Sequence, residues 1–208
     1  MKHLILITLT LLALSASGQS NYEKGMQKAF DLWSEQKTTE AANLFERIAQ
    51  AEPDDWLPPF YVAQIHVLSS FSEKDKEKMI QHMKTARDFL NDAQRLTQDN
   101  AEMLVLEAQL LTAWVVYDGQ QYGMKYSSKI ADLYQKASQL APNNPRVVLG
   151  KAEWDMGSAR YFGKPTQLYC EDIARALQLF TTFKPAGPFH PQGGKEYAQQ
   201  VWEQNCNQ

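Results

Sequence analysis

The chain has 208 residues, with 21 Lys and Arg against 24 Asp and Glu and a net charge of −3. No Lys/Arg block stands out, which argues against nucleic acid or an anionic membrane surface as the partner. The length suits one domain or a short repeat array.

Residues 1–18 read as a secretory signal. A short basic start, Met1-Lys2-His3, leads into an apolar stretch from Leu4 to Ala16, and Ala16-Ser17-Gly18 offers small residues for a signal peptidase. The apolar run is short for a bilayer span, and no later segment is apolar enough to cross a membrane. Residues 19–208 are therefore expected to act in the periplasm or as a secreted protein, without membrane insertion. Cys170 and Cys206 both lie there, and an even count in an oxidising compartment favours one disulfide, with two separate thiols as the alternative. Closing a loop of about 35 residues would stabilise the fold by roughly 3–4 kcal/mol.

One apolar pattern recurs along the chain. It reads Ala41-Phe45-Ile48-Pro53, Ala86-Leu90-Ala93-Gln98, Ile130-Tyr134-Ala137-Pro142 and, more weakly, Ile173-Leu177-Phe180-Pro185, at offsets of 45, 44 and 43 residues. Spacings of four and three put the first three residues of each block on one helical face, and Pro ends a helix because it has no N–H to donate. In chain order, helices are predicted near 22–35, 38–51, 56–71, 74–97, 101–117, 125–140, 145–159, 166–182 and 194–205. Asp54-Asp55 before the third helix and Asn144-Pro145 at the seventh supply capping oxygens and an N1 proline. Ser72 followed by Asp75 resembles a capping box for the fourth. Tyr197, Val201 and Trp202 mark the last helix as a cover for the final pair, as solenoids need.

The second helix of each pair resembles that of a tetratricopeptide (TPR) unit, A-x3-F-x2-A-x4-P. Ala29, Ala63, Ala108 and Ala152, each eight positions into its unit, occupy the slot where that family has a small residue. The resemblance implies an all-α, TPR-like α-α superhelix (solenoid) of about four helix pairs plus a C-terminal capping helix, over residues 19–208. The first unit has the usual 34 residues, and the later ones carry roughly ten more between their helices. The segments Leu140 to Arg146, Tyr161 to Pro165, ALQLFTTFKP and His190-Pro191-Gln192-Gly193 resemble a group of exported bacterial TPR-like proteins of uncharacterised function. A Trp common before the Gly in that group is Gln192 here.

Enzyme signatures are missing: there is no Gly-rich phosphate loop, G-x-S-x-G, H-E-x-x-H or dinucleotide fingerprint. A non-catalytic protein without a cofactor is expected. His66, His82 and His190 fall in different elements. Met79, His82 and Met83, at i, i+3 and i+4, form a set suited to soft copper, against which stands an ordinary amphipathic helix with gap-filling Met.

Two binding regions follow. By the family's layout, the concave groove is lined by Met26, Phe30, Trp33, Phe60, Gln64, Gln109, Thr112, Arg146, Glu153 and Met156. It would hold an extended peptide, with Phe30 and Trp33 taking apolar side chains, and Gln64, Gln109 and Arg146 taking backbone or carboxylate. In the alternative, Phe30 and Trp33 are core and Arg146 pairs with an acid. The stretches 117–126 and 160–169 read as Tyr-rich loops, with Tyr117, Tyr122 and Tyr161 as candidates for a small ligand or glycan, unless those rings plug helix junctions. The reading is a protein- or peptide-binding scaffold of the cell envelope, with a small-ligand or glycan module as the alternative.

Overall fold

The computed structural model describes residues 21–207. The expected signal at residues 1–18 lies outside them. Among the described residues there are nine α-helices and no strand: α1 (residues 21–34), α2 (Thr38–Ala51), α3 (Leu57–Ser72), α4 (Lys76–Leu96), α5 (Ala101–Tyr117), α6 (Gly119–Leu140), α7 (Pro145–Tyr161), α8 (Cys170–Thr182) and α9 (Lys195–Asn205). A short 3-10 turn, Gln167–Tyr169, precedes α8. None of these helices is long and apolar enough to cross a membrane.

Short connections force consecutive helices into antiparallel pairs. α3 packs on α4, α5 on α6 and α7 on α8, while the first helices touch in series, α3 on α5 and α5 on α7. This gives an all-α stack of TPR-like pairs closed by α9 on α8. The repeat residues carry the packing. Ala41, Phe45, Ala86, Leu90, Ala93, Ile130, Ala137 and Ile173 are wholly buried, and so are Ala29, Ala63 and Ala108. The weakest copy is weakest in space too, since Leu177 and Phe180 are only half-buried. Small residues in the first helices let neighbours approach closely. At Gly150 of α7, even an added Cβ would sit 2.8 Å from Cε1 of Tyr134, so that ring lies directly on the α7 backbone.

The helix starts follow local chemistry. Asp55 Oδ1 accepts from the Leu57 N–H at 2.9 Å, and Asn144 Oδ1 accepts from the Arg146 N–H at 2.9 Å. At α4 the expected capping box is replaced by a simpler cap: Asp75 is itself the N-cap and accepts from the N–H groups of Glu77 and Lys78. The largest correction is at α6, which starts at Gly119 and not near 125. Asp118 caps it by accepting from the Gln121 N–H, so most of 117–126 is helix, not loop. The disulfide is formed: Cys170 and Cys206 are bonded with Cα atoms 5.6 Å apart, fixing the end of α9 to the start of α8.

Candidate functional site

The first helix of each pair lines the inner face of the stack. α1 brings Phe30 and Trp33 there, α3 Tyr61 and Gln64, α5 Gln109, and α7 Arg146 and Glu153. The segment 183–194, which links α8 to α9, crosses this face as a strap. Between strap and helices lies a cavity of about 660 Å³.

The strap is fixed by both kinds of contact. Tyr61 Oη donates to the Phe189 carbonyl at 2.7 Å, and Arg146 Nη1 donates to the Gly193 carbonyl at 2.9 Å. The Phe189 ring meets Tyr22 edge-on at 5.8 Å and lies nearly parallel to Phe30 at 6.1 Å, while His190 meets Trp56 edge-on at 5.3 Å. The strap ends at Gly194, where φ is 122° and a Cβ would stand 3.1 Å from the Phe180 ring. A side chain there would be strained on both counts. The cavity wall is therefore aromatic: Phe30 is edge-on to Tyr61 at 4.7 Å, and Trp33 is edge-on to Tyr61 at 6.1 Å.

The polar part has its own order. Glu102 of α5 is held from two sides, by Arg146 Nε at 2.8 Å and by Asn144 Nδ2 at 2.6 Å. The side chains of Glu102 and Arg146 are only 10% and 13% exposed. Arg146 thus pairs with an acid and clasps the strap, the role named as the alternative for it above. Glu153 accepts a hydrogen bond from Tyr197 of α9. Burial raises its pKa above the usual carboxylate range, opposed by the Tyr197 hydrogen bond. Burial and the neighbouring Glu153 carboxylate likewise raise the Tyr197 phenol.

Of the candidates from sequence, Phe30, Trp33, Gln64, Gln109, Arg146 and Glu153 meet at this one cavity. Phe60, Met26 and Met156 do not line it. Phe60 and Met26 are fully buried and Met156 nearly so, because their side chains point between helices into the core. Tyr61, one residue on from Phe60, takes the inward position. Tyr117 and Tyr122 gather elsewhere, with Trp114 and Tyr126. Tyr122 is 5.0 Å from Trp114 and stacks on Tyr126 at 5.6 Å. These rings close over the α5–α6 junction, as the alternative reading of them had it. Tyr161 is 77% exposed and contacts Phe162.

No protein-family model and no curated protein matches this sequence. The fold has a solved counterpart. The HusA haemophore from Porphyromonas gingivalis superposes with a TM-score of 0.76 at 20% identity, over 89% of this chain and 92% of that one. Yeast Tom70 aligns with 89% of this chain and 33% of its own, at 21% identity and a TM-score of 0.43. The first likeness spans nearly both chains and is one of fold.

The strap itself escaped the sequence reading. Its signal was present as Lys184-Pro185-Ala186-Gly187-Pro188 before Phe189 and His190, a Pro/Gly-rich stretch that neither continues α8 nor pairs with a helix. A second miss lies outside the cavity. His66 of α3 and His82 of α4 face each other with their Nδ1 atoms 2.8 Å apart. A search for ligand spacing along a single helix does not find a pair formed between two.

Proposed function

We propose that this chain is a non-catalytic binding protein of the cell envelope that holds a small, flat, amphipathic ligand in the strapped cavity, with tetrapyrroles of the haem type as the first class to test. The observation that carries this is the strap. It turns what would be an open groove into a cavity of about 660 Å³, inside the roughly 300–1,000 Å³ typical of small-molecule sites. Aromatic walls from Phe30, Trp33, Tyr61 and Phe189 suit the face of a flat ring system. Gln64 and Gln109 offer hydrogen-bond donors for carboxylate edges. The fold likeness to a haemophore over nearly the whole chain supports the same class. The disulfide fits an oxidising compartment, periplasmic or extracellular, and the signal-like residues 1–18 support export.

A protein or peptide partner is the second reading. It is favoured by the side-chain amides of Gln64 and Gln109 on the cavity floor, which match the donor and acceptor pattern of an extended backbone. A peptide longer than the cavity must displace the strap, whereas a small ligand need not.

The test is a haemin titration followed by the Soret band and by quenching of Trp fluorescence. Saturation at one haemin per chain is expected, with Trp33→Ala weakening binding at least tenfold and Tyr122→Ala leaving it unchanged. Equal affinity for wild type and Trp33→Ala, or no saturable binding, would remove the haem-type tetrapyrrole from this cavity. Displacement of haemin by envelope-derived peptides would favour the second.

A further inference from the structure

The α3–α4 hairpin carries a cluster of donors that the cavity does not use. His66 and His82, both half-buried, approach with Nδ1 atoms 2.8 Å apart and ring centroids 5.1 Å apart, the planes inclined by 43°. At that distance one Nδ1–H donates to the lone pair of the other ring. Met79 lies one turn before His82 on the same face of α4 and is partly buried against the same core. Among the described residues, no group of three or more His, Cys, Asp or Glu is placed to hold a metal ion. Two imidazoles and a thioether, without a carboxylate, are what the hairpin offers. Hard ions need oxygen, and closed zinc sites need four N, S or O donors from the protein.

We propose that His66, His82 and Met79 form a binding site for a soft monovalent metal ion, Cu(I) and its redox-inert analogue Ag(I). Soft ions accept low coordination numbers and prefer imidazole and thioether donors, which is the set present. Both rings present Nδ1 to the same point. Bonds of about 2 Å to a shared ion need the two nitrogens to part by somewhat under 1 Å, a rotation that half-exposed rings on neighbouring helices can make. The ring that now donates from Nδ1–H carries its proton on Nε2 instead, so both Nδ1 lone pairs face the ion and the net protonation is unchanged. The ion would cross-link α3 and α4 from outside the core. This site is independent of the strapped cavity, and either can fail without the other.

The experiment uses tag-free protein. Ag(I) is titrated into isotope-labelled chain while the imidazole nitrogen and carbon signals are followed, and Cu(I) is titrated anaerobically against bicinchoninate. One ion per chain is expected. The His66 and His82 ring signals should move together, with those of His190 unchanged. His66→Asn and His82→Gln should each weaken Cu(I) retention at least tenfold, and Met79→Leu severalfold. The site is overturned if bicinchoninate keeps all the copper, if the His190 signals move while those of His66 and His82 do not, or if the folded variants hold the ion as tightly as wild type. The wild-type resonance shifts decide the matter even if a variant does not fold.

Discussion

Replacing Arg146 by Met separates two jobs of one side chain. Met keeps much of the apolar stem but removes the guanidinium that bonds both Glu102 and the Gly193 carbonyl. Glu102, 10% exposed on its side chain, is then left with the Asn144 amide alone. Breaking one side of a buried ion pair costs about 3–5 kcal/mol, because the remaining charge stays desolvated. With Asn144 still in place, about 3 kcal/mol is expected. For a domain of this size, each kcal/mol moves the midpoint by roughly 2–4 °C, so Tm should fall by roughly 6–12 °C. Adding Glu102→Gln removes the orphaned charge, and the double variant should recover at least half of that loss. Urea and thermal unfolding give both numbers. The strap anchor is missing in both variants, so haemin affinity should fall in both, whether or not stability returns. A loss below 1 kcal/mol in the single variant, or no recovery in the double, would refute the claim that this pair ties the strap to α5.

Gly150→Ala should cost about 1–3 kcal/mol by overpacking, since its Cβ would meet the Tyr134 ring at 2.8 Å; chemical denaturation reads it, and a neutral result would mean that the ring moves freely. Glu153→Gln should show a pH-dependent effect. The folded carboxyl holds its proton more tightly than the unfolded one, so wild-type stability from this group is fullest below the ordinary carboxylate range and is lost as pH rises through the raised value. The Gln variant should therefore gain on wild type as pH rises and converge with it in acid, and a gap constant from pH 4 to 8 would contradict this. Cys206→Ser should cost roughly 3–4 kcal/mol by releasing a loop of about 35 residues, and should free the C-terminal end of α9 and with it the Arg160–Asn205 contact. Unchanged Tm on removal of the bond would show that α9 docks without it.

Much of the fold was written in short-range patterns. α2 starts and stops where the Ala-Phe-Ile periodicity places it, α5 spans its predicted 101–117, and the four Ala at position eight are buried to within 1% exposure. Those signals are local, and each unit buries the same face as the next. The errors share a physical origin. Gly119 and Gly123 suggested a loop, but Asp118 supplies a cap strong enough to begin a helix ahead of them. Phe60 and Tyr61 are adjacent, and a rotation of about 100° around the helix decides which faces the cavity. The strap and the His66–His82 pair are long-range features, joining segments whose approach no periodicity encodes. Arg146 lines the cavity as the repeat layout places it, but the acid it pairs with, Glu102, lies 44 residues away in sequence.

The central claim is that a ligand occupies the space between the strap and the first helices. Amide hydrogen exchange with and without haemin tests it most directly. Protection should rise along 183–194 and on the inward turns of α1, α3, α5 and α7, with α6 unchanged. Protection centred on the Tyr122 cluster of α6, or a strap that exchanges faster when haemin is bound, would contradict the claim.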